Sequence, residues 1–320
     1  MGRIGLVLGA GGVAGGAFHA GVLAALAEAT GWDPRTATVI VGTSAGSVTG
    51  ASLRAGLSAP DMLARAQDRR LSPEGAHLMR KVGAVRSLPN LRPDRQRRPP
   101  AGLLSTLARA ARRPFATRPW ALAAALLPEG TVSTDVISEG IGGLMPPGWP
   151  ADPLWICAVR QADGRRVVFG KSDLEPSVAD AVAASCAIPG YFAPVTIGGD
   201  RYLDGGVHSP TNADVLLDAR PLDLVVVSSP MSRQGRRPRL AVDQAMRGWS
   251  GGVLDAEVLG LRRRGVPVIG FQPDQHVLAE MGLNPMDPNR RSGIAGEAHA
   301  SALRRLARAD TIERTAVLRS

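Results

Sequence analysis

The amino-acid sequence predicts an α/β fold in which the strands of a mostly parallel sheet alternate with helices. Two observations lead to this prediction. Short runs of apolar and β-branched residues, typical of buried strands, recur along the chain and end in glycine-containing turns. Segments with helical spacing follow the first two of these runs. At 320 residues, of which 44% are hydrophobic, the chain is long enough to bury a sizeable core.

The first strand is predicted at residues 3–8 and leads into a glycine-rich loop, residues 9–16, before a helix that covers residues 17–27. Such loops expose backbone N–H groups that bind anions or oxyanions. A dinucleotide site would also need an acid at the end of the second strand. That strand ends just before Ser44 without an acid, which argues against a nucleotide-binding oxidoreductase. An oxyanion hole and a plain tight turn remain as alternatives.

The second strand ends in a pattern that predicts a nucleophilic serine. A β-branched run beginning at Val39 enters the sequence Gly-x-Ser-x-Gly, and a helix is expected from there to about Gly56. A strand that enters a helix through such a turn lifts the serine hydroxyl out on a sharp corner. The free N–H groups of the new helix favour negative charge beside it. The residues of this turn are Gly42, Thr43, Ser44, Ala45 and Gly46.

The remaining elements continue the α/β pattern and supply an acid. Residues 195–206 predict a hairpin whose second strand ends in Asp204, followed by Gly205 and Gly206. Because the motifs near residues 9, 44 and 204 draw on both halves of the chain, we expect a single domain over residues 1–320. Further helices are predicted at 59–70, 73–81, 176–186, 252–264 and 295–309, and further strands at 154–159, 166–169, 222–228 and 266–271.

A serine hydroxyl needs a base to take its proton, and the sequence leaves two candidates open. None of the five histidines lies in a recognisable hydrolase context, although Asp204 followed by His208 satisfies the acid-then-histidine order of a triad. The other arrangement is a dyad in which the Asp204 carboxylate itself accepts the proton. Its ordinary pKa of about 3.9 makes it a weak base, and burial would raise that pKa. A plain turn acid that caps Gly205 and Gly206 is the third reading.

The positive charge of the chain is concentrated in one segment. The net charge is +10, and residues 80–120 contain eleven Arg or Lys and a single acid, Asp94, so the remainder is neutral. Prolines punctuate this stretch, which predicts a basic surface insertion at about 82–130 with a short amphipathic helix at 103–113. The insertion would be a solvated cover, a lid or a contact with anionic membranes through residues 80–130. Nucleic acid is not expected as a partner, because no known module supports it.

The expected compartment is the cytoplasm. Two cysteines, Cys157 and Cys186, do not make a disulfide framework and fit a reducing environment. The N-terminus carries no pattern of a signal peptide, and no apolar run is expected to approach the roughly 20 residues needed to span a bilayer.

Three motifs taken together resemble the patatin-like phospholipase family. They are the glycine-rich loop near residue 10, Gly-Thr-Ser-Ala-Gly near residue 44, and Ala-Ser-x-Ala-x-Pro-x-x-Phe-x-Pro leading to Asp-Gly-Gly. The resemblance covers residues 3–58 and 176–215. It implies a three-layer α/β/α patatin-like fold with a mostly parallel central sheet. It also implies a Ser-Asp dyad that hydrolyses acyl esters of lipids without metal or cofactor.

The resemblance carries over residue by residue. It implies that Ser44 is the nucleophile and Asp204 the base, and that the N–H groups of Gly11, Gly12 and Val13 stabilise the oxyanion. Each such donor contributes roughly 3–4 kcal/mol in acyl transfer.

The sequence departs from the family pattern in the glycine-rich loop. The family commonly has Arg or Lys just before the last glycine of the loop, where this chain has Ala14 or Gly15. This departure, together with the basic segment 80–120, motivates an alternative hypothesis: a catalytically weak or inactive member of the fold that binds lipid or anionic membrane surfaces.

Overall fold

The computed structural model describes residues 2–82, 127–145, 148–233 and 241–319. Its centre is one eight-stranded sheet with the strand order β5-β6-β3-β2-β1-β7-β8, in which β4 pairs with β3 from outside this path. The strands are β1 (Ile4–Leu8), β2 (Val39–Thr43), β3 (Leu154–Arg160), β4 (Arg166–Phe169), β5 (Val195–Ile197), β6 (Asp200–Asp204), β7 (Leu224–Ser228) and β8 (Val268–Phe271).

The helices of the described residues lie between and beyond these strands. They are α1 (Gly12–Thr30), α2 (Ala45–Arg54), α3 (Ala59–Ala66), α4 (Pro73–Lys81), α5 (Asp135–Leu144), α6 (Val178–Ser185), α7 (Ala241–Arg263), α8 (Gln275–Met281), α9 (Arg291–Leu306) and α10 (Ala309–Thr315).

The sheet is mostly parallel and is covered by helices on both faces, as the sequence predicts. Strands β1, β2, β3, β7 and β8 pair in parallel, and β4, β5 and β6 pair antiparallel. Every residue of β1, β2 and β7 is buried, as expected for strands covered on both faces. Leu6 and Ile40 face a core built with α1, α2, α6, α8 and α9. Val7 and Val41 face a second core built with α7 and residues 213–216.

Helix α1 belongs to the larger core. It packs against α9, α3 and α2. By length and composition alone it could cross a membrane, since its mean hydropathy is 1.3. The sequence-based expectation that the chain contains no segment of this kind was therefore wrong for α1. In the structure, 67% of its most apolar window is buried inside the protein. Packing within the core therefore accounts for its apolar composition.

Several element boundaries differ from the prediction. Helix α1 begins at Gly12, so much of the predicted loop 9–16 is helical, because Gly15 and Gly16 adopt helical backbone angles despite their low helix propensity. The helix predicted at 252–264 begins at Ala241. Helices α5, α8 and α10 were not predicted, and each has at most ten residues, too few for a clear apolar period.

The basic insertion predicted at 82–130, including the helix at 103–113, lies mainly outside the described residues. The structure describes the last residues of this insertion, 127–130. They and the residues just after them contact the β5–β6 hairpin and the chain that precedes the hairpin. Arg201 forms an ion pair with Glu129 at 2.7 Å, and Val132 forms an isolated parallel bridge with Phe192.

The close contact between β1 and α2 requires a glycine at position 46. A Cβ atom on Gly46 would lie 1.9 Å from the carbonyl oxygen of Leu8, which is a backbone atom that cannot move aside alone. A Cβ atom on Gly16, in the first turns of α1, would meet nothing within 4 Å.

We therefore expect Gly46→Ala to destabilise the protein by about 3 kcal/mol or more, because overpacking against backbone forces the strand and helix apart. Gly16→Ala is the matched control and should be neutral or up to about 1 kcal/mol stabilising. Denaturant unfolding of both variants measures this difference. Equal unfolding midpoints would contradict the packing described for the β1–α2 contact.

Candidate active site

Ser44 lies at the corner between β2 and α2 with an unusual backbone conformation. Its φ is 53° and its ψ is −121°, a region that costs a non-glycine residue about 1–3 kcal/mol. Two hydrogen bonds hold the corner: the Ser44 N–H donates to Ser185 Oγ at 2.9 Å, and Ser47 Oγ donates to the Ser44 carbonyl at 2.6 Å. Strain of this kind persists only where the surroundings enforce it, which is typical of functional sites.

The glycines on either side of Ser44 permit the corner to be this tight. A Cβ atom on Gly42 would lie 2.6 Å from the Cα atom of Ser47, in the first turn of α2. On the other side, the packing of Gly46 on Leu8 brings α2 directly against the end of β1. The Gly-x-Ser-x-Gly pattern therefore has the steric role that the sequence predicts, at the carboxyl end of the parallel strands.

Asp204 is the last residue of β6 and lies at the same edge of the sheet. The register pairs Thr43 with Cys157 on β3, and the next residue of β3, Ala158, with Asp204. This pairing brings the end of β6 level with the Ser44 corner. A Cβ atom on Gly205 would lie 2.2 Å from the Cys157 carbonyl oxygen, so the chain can turn here only with glycine.

The carboxylate of Asp204 is buried beside the Ser44 side chain. Asp204 is 5% exposed and Ser44 is 3% exposed. Burial raises the pKa of Asp204 to about 6, while the neighbouring Ser44 side chain and a hydrogen bond from the Gly206 N–H, at 2.7 Å, lower it in part. An acid of this pKa is mainly ionised at neutral pH, yet it is a stronger base than a solvated aspartate.

Burial, the Ser44 side chain and the Gly206 N–H set the pKa of Asp204. Four of the five histidines contact residues outside the Ser44 and Asp204 motifs: His77 contacts Arg80, His276 contacts Gln275, His299 pairs with Glu28, and His19 is described below. The fifth, His208, follows the one-turn helix at Gly205–Val207, and its backbone N–H donates to the Gly205 carbonyl.

His19 has a structural role below the glycine-rich segment. Its Nε2 lies 2.8 Å from the Gly9 carbonyl, which can only accept, so Nε2 carries the proton and Nδ1 accepts from Ser228 Oγ at 2.8 Å. Burial lowers the pKa of His19 to about 4, so the ring is neutral. The Gly9 and Ala10 N–H groups donate to the carbonyls of Ser228 and Pro210. The end of β1 is thus fixed to β7.

The start of helix α1 leaves a small set of backbone donors open. The first four N–H groups of a helix have no partner within it. Here the Ala14 N–H donates to the Pro285 carbonyl at 2.9 Å, and the Gly15 N–H donates to the Gly11 carbonyl at 2.8 Å. Within the described residues, no acceptor meets the N–H groups of Gly11, Gly12 and Val13.

The residues that flank this donor segment, Ala10 and Gly15, lie close to the neighbours of the two reactive residues. The Cβ atom of Ala10 lies 3.4 Å from the position that a Cβ atom on Gly206 would take, next to Asp204. The Cβ atom of Ala45, the neighbour of Ser44, lies 3.4 Å from the corresponding position on Gly15. The structure thus brings together all three groups that the sequence singled out.

A thiol also lies close to Ser44. Cys186 Sγ is 3.9 Å from Ser47 Oγ, and both Ser44 and Ser47 interact with it. Burial first, and then the charge of Asp204, raise the pKa of Cys186 to about 12. The thiol is therefore protonated and is not a competing nucleophile.

The polar network that supports the two motifs was missed from sequence. Asn212, buried and with a φ of 51°, donates to Thr43 Oγ1 at 3.1 Å and to the Ser209 carbonyl at 2.6 Å. It thereby ties the residue before Ser44 to the loop after Asp204. The Asn212 Oδ1 in turn accepts from Arg166 at 3.1 Å, and Arg166 also pairs with Asp214.

Glu257, a buried acid of helix α7, anchors the same loop. It accepts hydrogen bonds from Ser209 Oγ and Thr211 Oγ1, both at 2.6 Å, and from the Ala213 N–H at 2.9 Å. Burial, and then the charge of Asp214, raise its pKa. The one sequence signal for this loop was the stretch Ser-Pro-Thr-Asn, residues 209–212, which begins three positions after Gly206, and nothing local marks Glu257 as its partner.

Comparison with known proteins agrees with this arrangement of motifs. A family model described as patatin-like phospholipase matches residues 6–217, which include Ser44 and Asp204. The solved structure of VipD from Legionella pneumophila is similar with a TM-score of 0.42 and 17% identity, over 95% of this chain and 66%, just under two thirds, of that chain. No curated protein sequence matches the chain significantly. Because the family model spans more than half of its length, this chain belongs to the patatin-like phospholipase family.

Proposed function

We propose that this protein is a serine acyl hydrolase that cleaves carboxylic ester bonds of lipids through a dyad of Ser44 and Asp204. Membership of the family supports an activity on lipid esters. The observation that carries the dyad is the buried carboxylate of Asp204, which interacts with the Ser44 side chain and has a pKa of about 6. The proposed steps use only groups of the chain and water.

In the acylation step, Asp204 accepts the proton of Ser44 as the serine oxygen attacks the acyl carbonyl carbon. The carbonyl oxygen becomes an oxyanion. The open N–H groups of Gly11, Gly12 and Val13 are the donors that we assign to it, in support of the sequence-based hypothesis. Removing one such donor costs about 2.7–4 kcal/mol in other acyl-transfer enzymes.

Collapse of the tetrahedral intermediate breaks the bond from the acyl carbon to the ester oxygen. The proton held on Asp204 moves to the departing alkoxide, and an alcohol or lysolipid leaves. Water then attacks the acyl-serine ester while Asp204 accepts its proton. The bond from the acyl carbon to the Ser44 oxygen breaks, the proton moves from Asp204 to that oxygen, and the fatty acid is released. One carboxylate can serve both half-reactions because its pKa of about 6 allows it to gain and lose a proton near neutral pH.

The partner that we propose is a lipid or other acyl ester. Contact with an anionic membrane through residues 80–130 stays a prediction that rests on the charge of that segment. A cytoplasmic location also stays a prediction. The weakly active or inactive lipid binder is the competing proposal. If that proposal is correct, the protein binds anionic vesicles in a salt-sensitive way and does not hydrolyse esters.

Substitution of either dyad residue should abolish hydrolysis. We expect Ser44→Ala and Asp204→Asn each to lower kcat/KM for a short p-nitrophenyl ester by about 10³-fold or more, because nucleophile and base act as a unit. His208→Gln is the control and should retain kcat/KM within about tenfold.

Two outcomes of this assay would contradict the dyad. Activity that survives Ser44→Ala places the chemistry elsewhere. Near-full activity of Asp204→Asn, combined with loss in His208→Gln, would establish the triad instead.

The raised pKa of Asp204 predicts a particular pH dependence. The base must be ionised to accept a proton, so kcat/KM should fall about tenfold per pH unit below an apparent pKa near 6. A folded-state pKa raised above the ordinary value of 3.8 also means that ionising Asp204 opposes folding. The contribution of this group to stability is therefore full below pH 4 and is lost as the pH rises through about 6.

The profile should be measured on His208→Gln as well as on the wild type, since a histidine titrates in the same range. We expect the same fall of kcat/KM at low pH in both proteins. Loss of this fall in His208→Gln would contradict its assignment to a buried Asp204. A fall with an apparent pKa near 4 would contradict it as well.

A further inference from the structure

A small cavity lies at the carboxyl end of β8, at the edge of the sheet away from β6. Its volume is about 230 Å³. Phe271, the last residue of β8, and Phe18 of helix α1 contribute to its floor, and Arg304, Arg305 and Arg308 contribute to its rim. In open α/β sheets, ligands bind beyond the carboxyl ends of the strands.

Arg305 is a cavity residue whose hydrogen-bond donors are not fully used by the described residues. Its guanidinium carbon lies over the Phe271 ring, 5.6 Å from the ring centroid, within the range of a cation–π contact. Its Nε–H is buried and meets no hydrogen-bond acceptor among the described residues. The terminal nitrogens of Arg305 also form no hydrogen bond with the described residues, and they are the donors left for a ligand that brings an acceptor.

The other charges of the cavity do not compensate Arg305. Asp274 also lines it, yet both of its carboxylate oxygens are occupied: Oδ1 by the N–H groups of His276 and Val277, and Oδ2 by Ser301 Oγ and Arg304.

Arg304 also pairs with Glu297 at 2.8 Å. Arg308 faces Asp310 at 3.7 Å on the surface. Burial, and then the like charge of Arg308, lower the pKa of Arg305, so its surroundings disfavour the cation as they stand.

The size and lining of the cavity define the kind of ligand. Drug-sized ligands occupy pockets of about 300–1,000 Å³, so this smaller cavity fits a compact group rather than an acyl chain. Six of its eleven lining residues are polar or charged, and the Gln272 amide adds a neutral donor to the arginines. Guanidinium groups match the planar pairs of oxygens that phosphate presents.

From this arrangement we propose that the cavity beside Arg305 is a phosphate-binding site, separate from Ser44 and Asp204. The group bound is a free phosphate or the phosphomonoester head of a lipid, whose oxygens accept from Arg305 and its neighbours. The site shares helix α1 with the donor segment, since Phe18 lines the cavity and Gly12 begins the same helix. It does not depend on the proposed hydrolase activity.

The test titrates the full chain with sodium phosphate at constant ionic strength, followed by calorimetry. We expect one saturable site in the wild type and affinity weakened by about tenfold or more in Arg305→Met, which keeps the stem over Phe271 but removes the donors. Arg263→Met, an exposed arginine of α7 on the opposite face of the sheet, is the matched control and should change affinity by less than about twofold.

A second arm measures co-sedimentation with phosphatidylcholine vesicles that contain phosphatidic acid. Binding that requires Arg305 in this arm alone identifies the lipid head group as the source of the phosphate. Arg305→Lys keeps the positive charge but removes the planar pair of N–H donors, so it should also weaken binding. This variant covers the case in which Arg305→Met fails to fold. Absence of binding in both arms, or binding that Arg305→Met and Arg305→Lys leave unchanged, overturns the proposal.

Discussion

The arrangement of this site depends on one interaction, the burial of the Asp204 carboxylate against the Ser44 side chain. Raising the pKa from 3.8 to about 6 corresponds to about 3 kcal/mol of stability given up at neutral pH. The Ser44 backbone adds its own strain, with a φ of 53°. Both features lie at the same sheet edge, where a protein selected only for stability would have relieved them.

The surrounding structure makes these unfavourable features tolerable. The Gly206 N–H and the Ser44 side chain stabilise the ionised acid, and Ser185 Oγ holds the corner by accepting a hydrogen bond from the Ser44 N–H. Behind them, Asn212 and Glu257 fix the loop after Asp204 with hydrogen bonds that are fully enclosed by protein. Such a network is rigid when every member is satisfied, and a rigid network holds catalytic groups in place without reorganisation.

Sequence reasoning reached the fold class and located the motifs around Ser44 and Asp204 because each carries a local signal, whereas the assignment of Gly11, Gly12 and Val13 as oxyanion donors stays a prediction. Glycine spacing, β-branched runs and an acid before two glycines are visible within a few residues. The supporting contacts are not, since Asn212 and Thr43 are separated by 169 residues, and Ser44 and Ser185 by 141. The early start of α1 was missed for another reason: glycine propensity argued for a loop, and packing against α9 overrode it.

The most direct test of the dyad is the reaction of the protein with an alkyl fluorophosphonate, which phosphonylates an activated serine and mimics the tetrahedral intermediate. Peptide mass spectrometry locates the adduct, and its rate of formation reports activation by the base. The account predicts a single adduct on Ser44 that forms at least about 10²-fold more slowly in Asp204→Asn. An adduct on another residue, or an unchanged rate on Ser44 in Asp204→Asn, would contradict it.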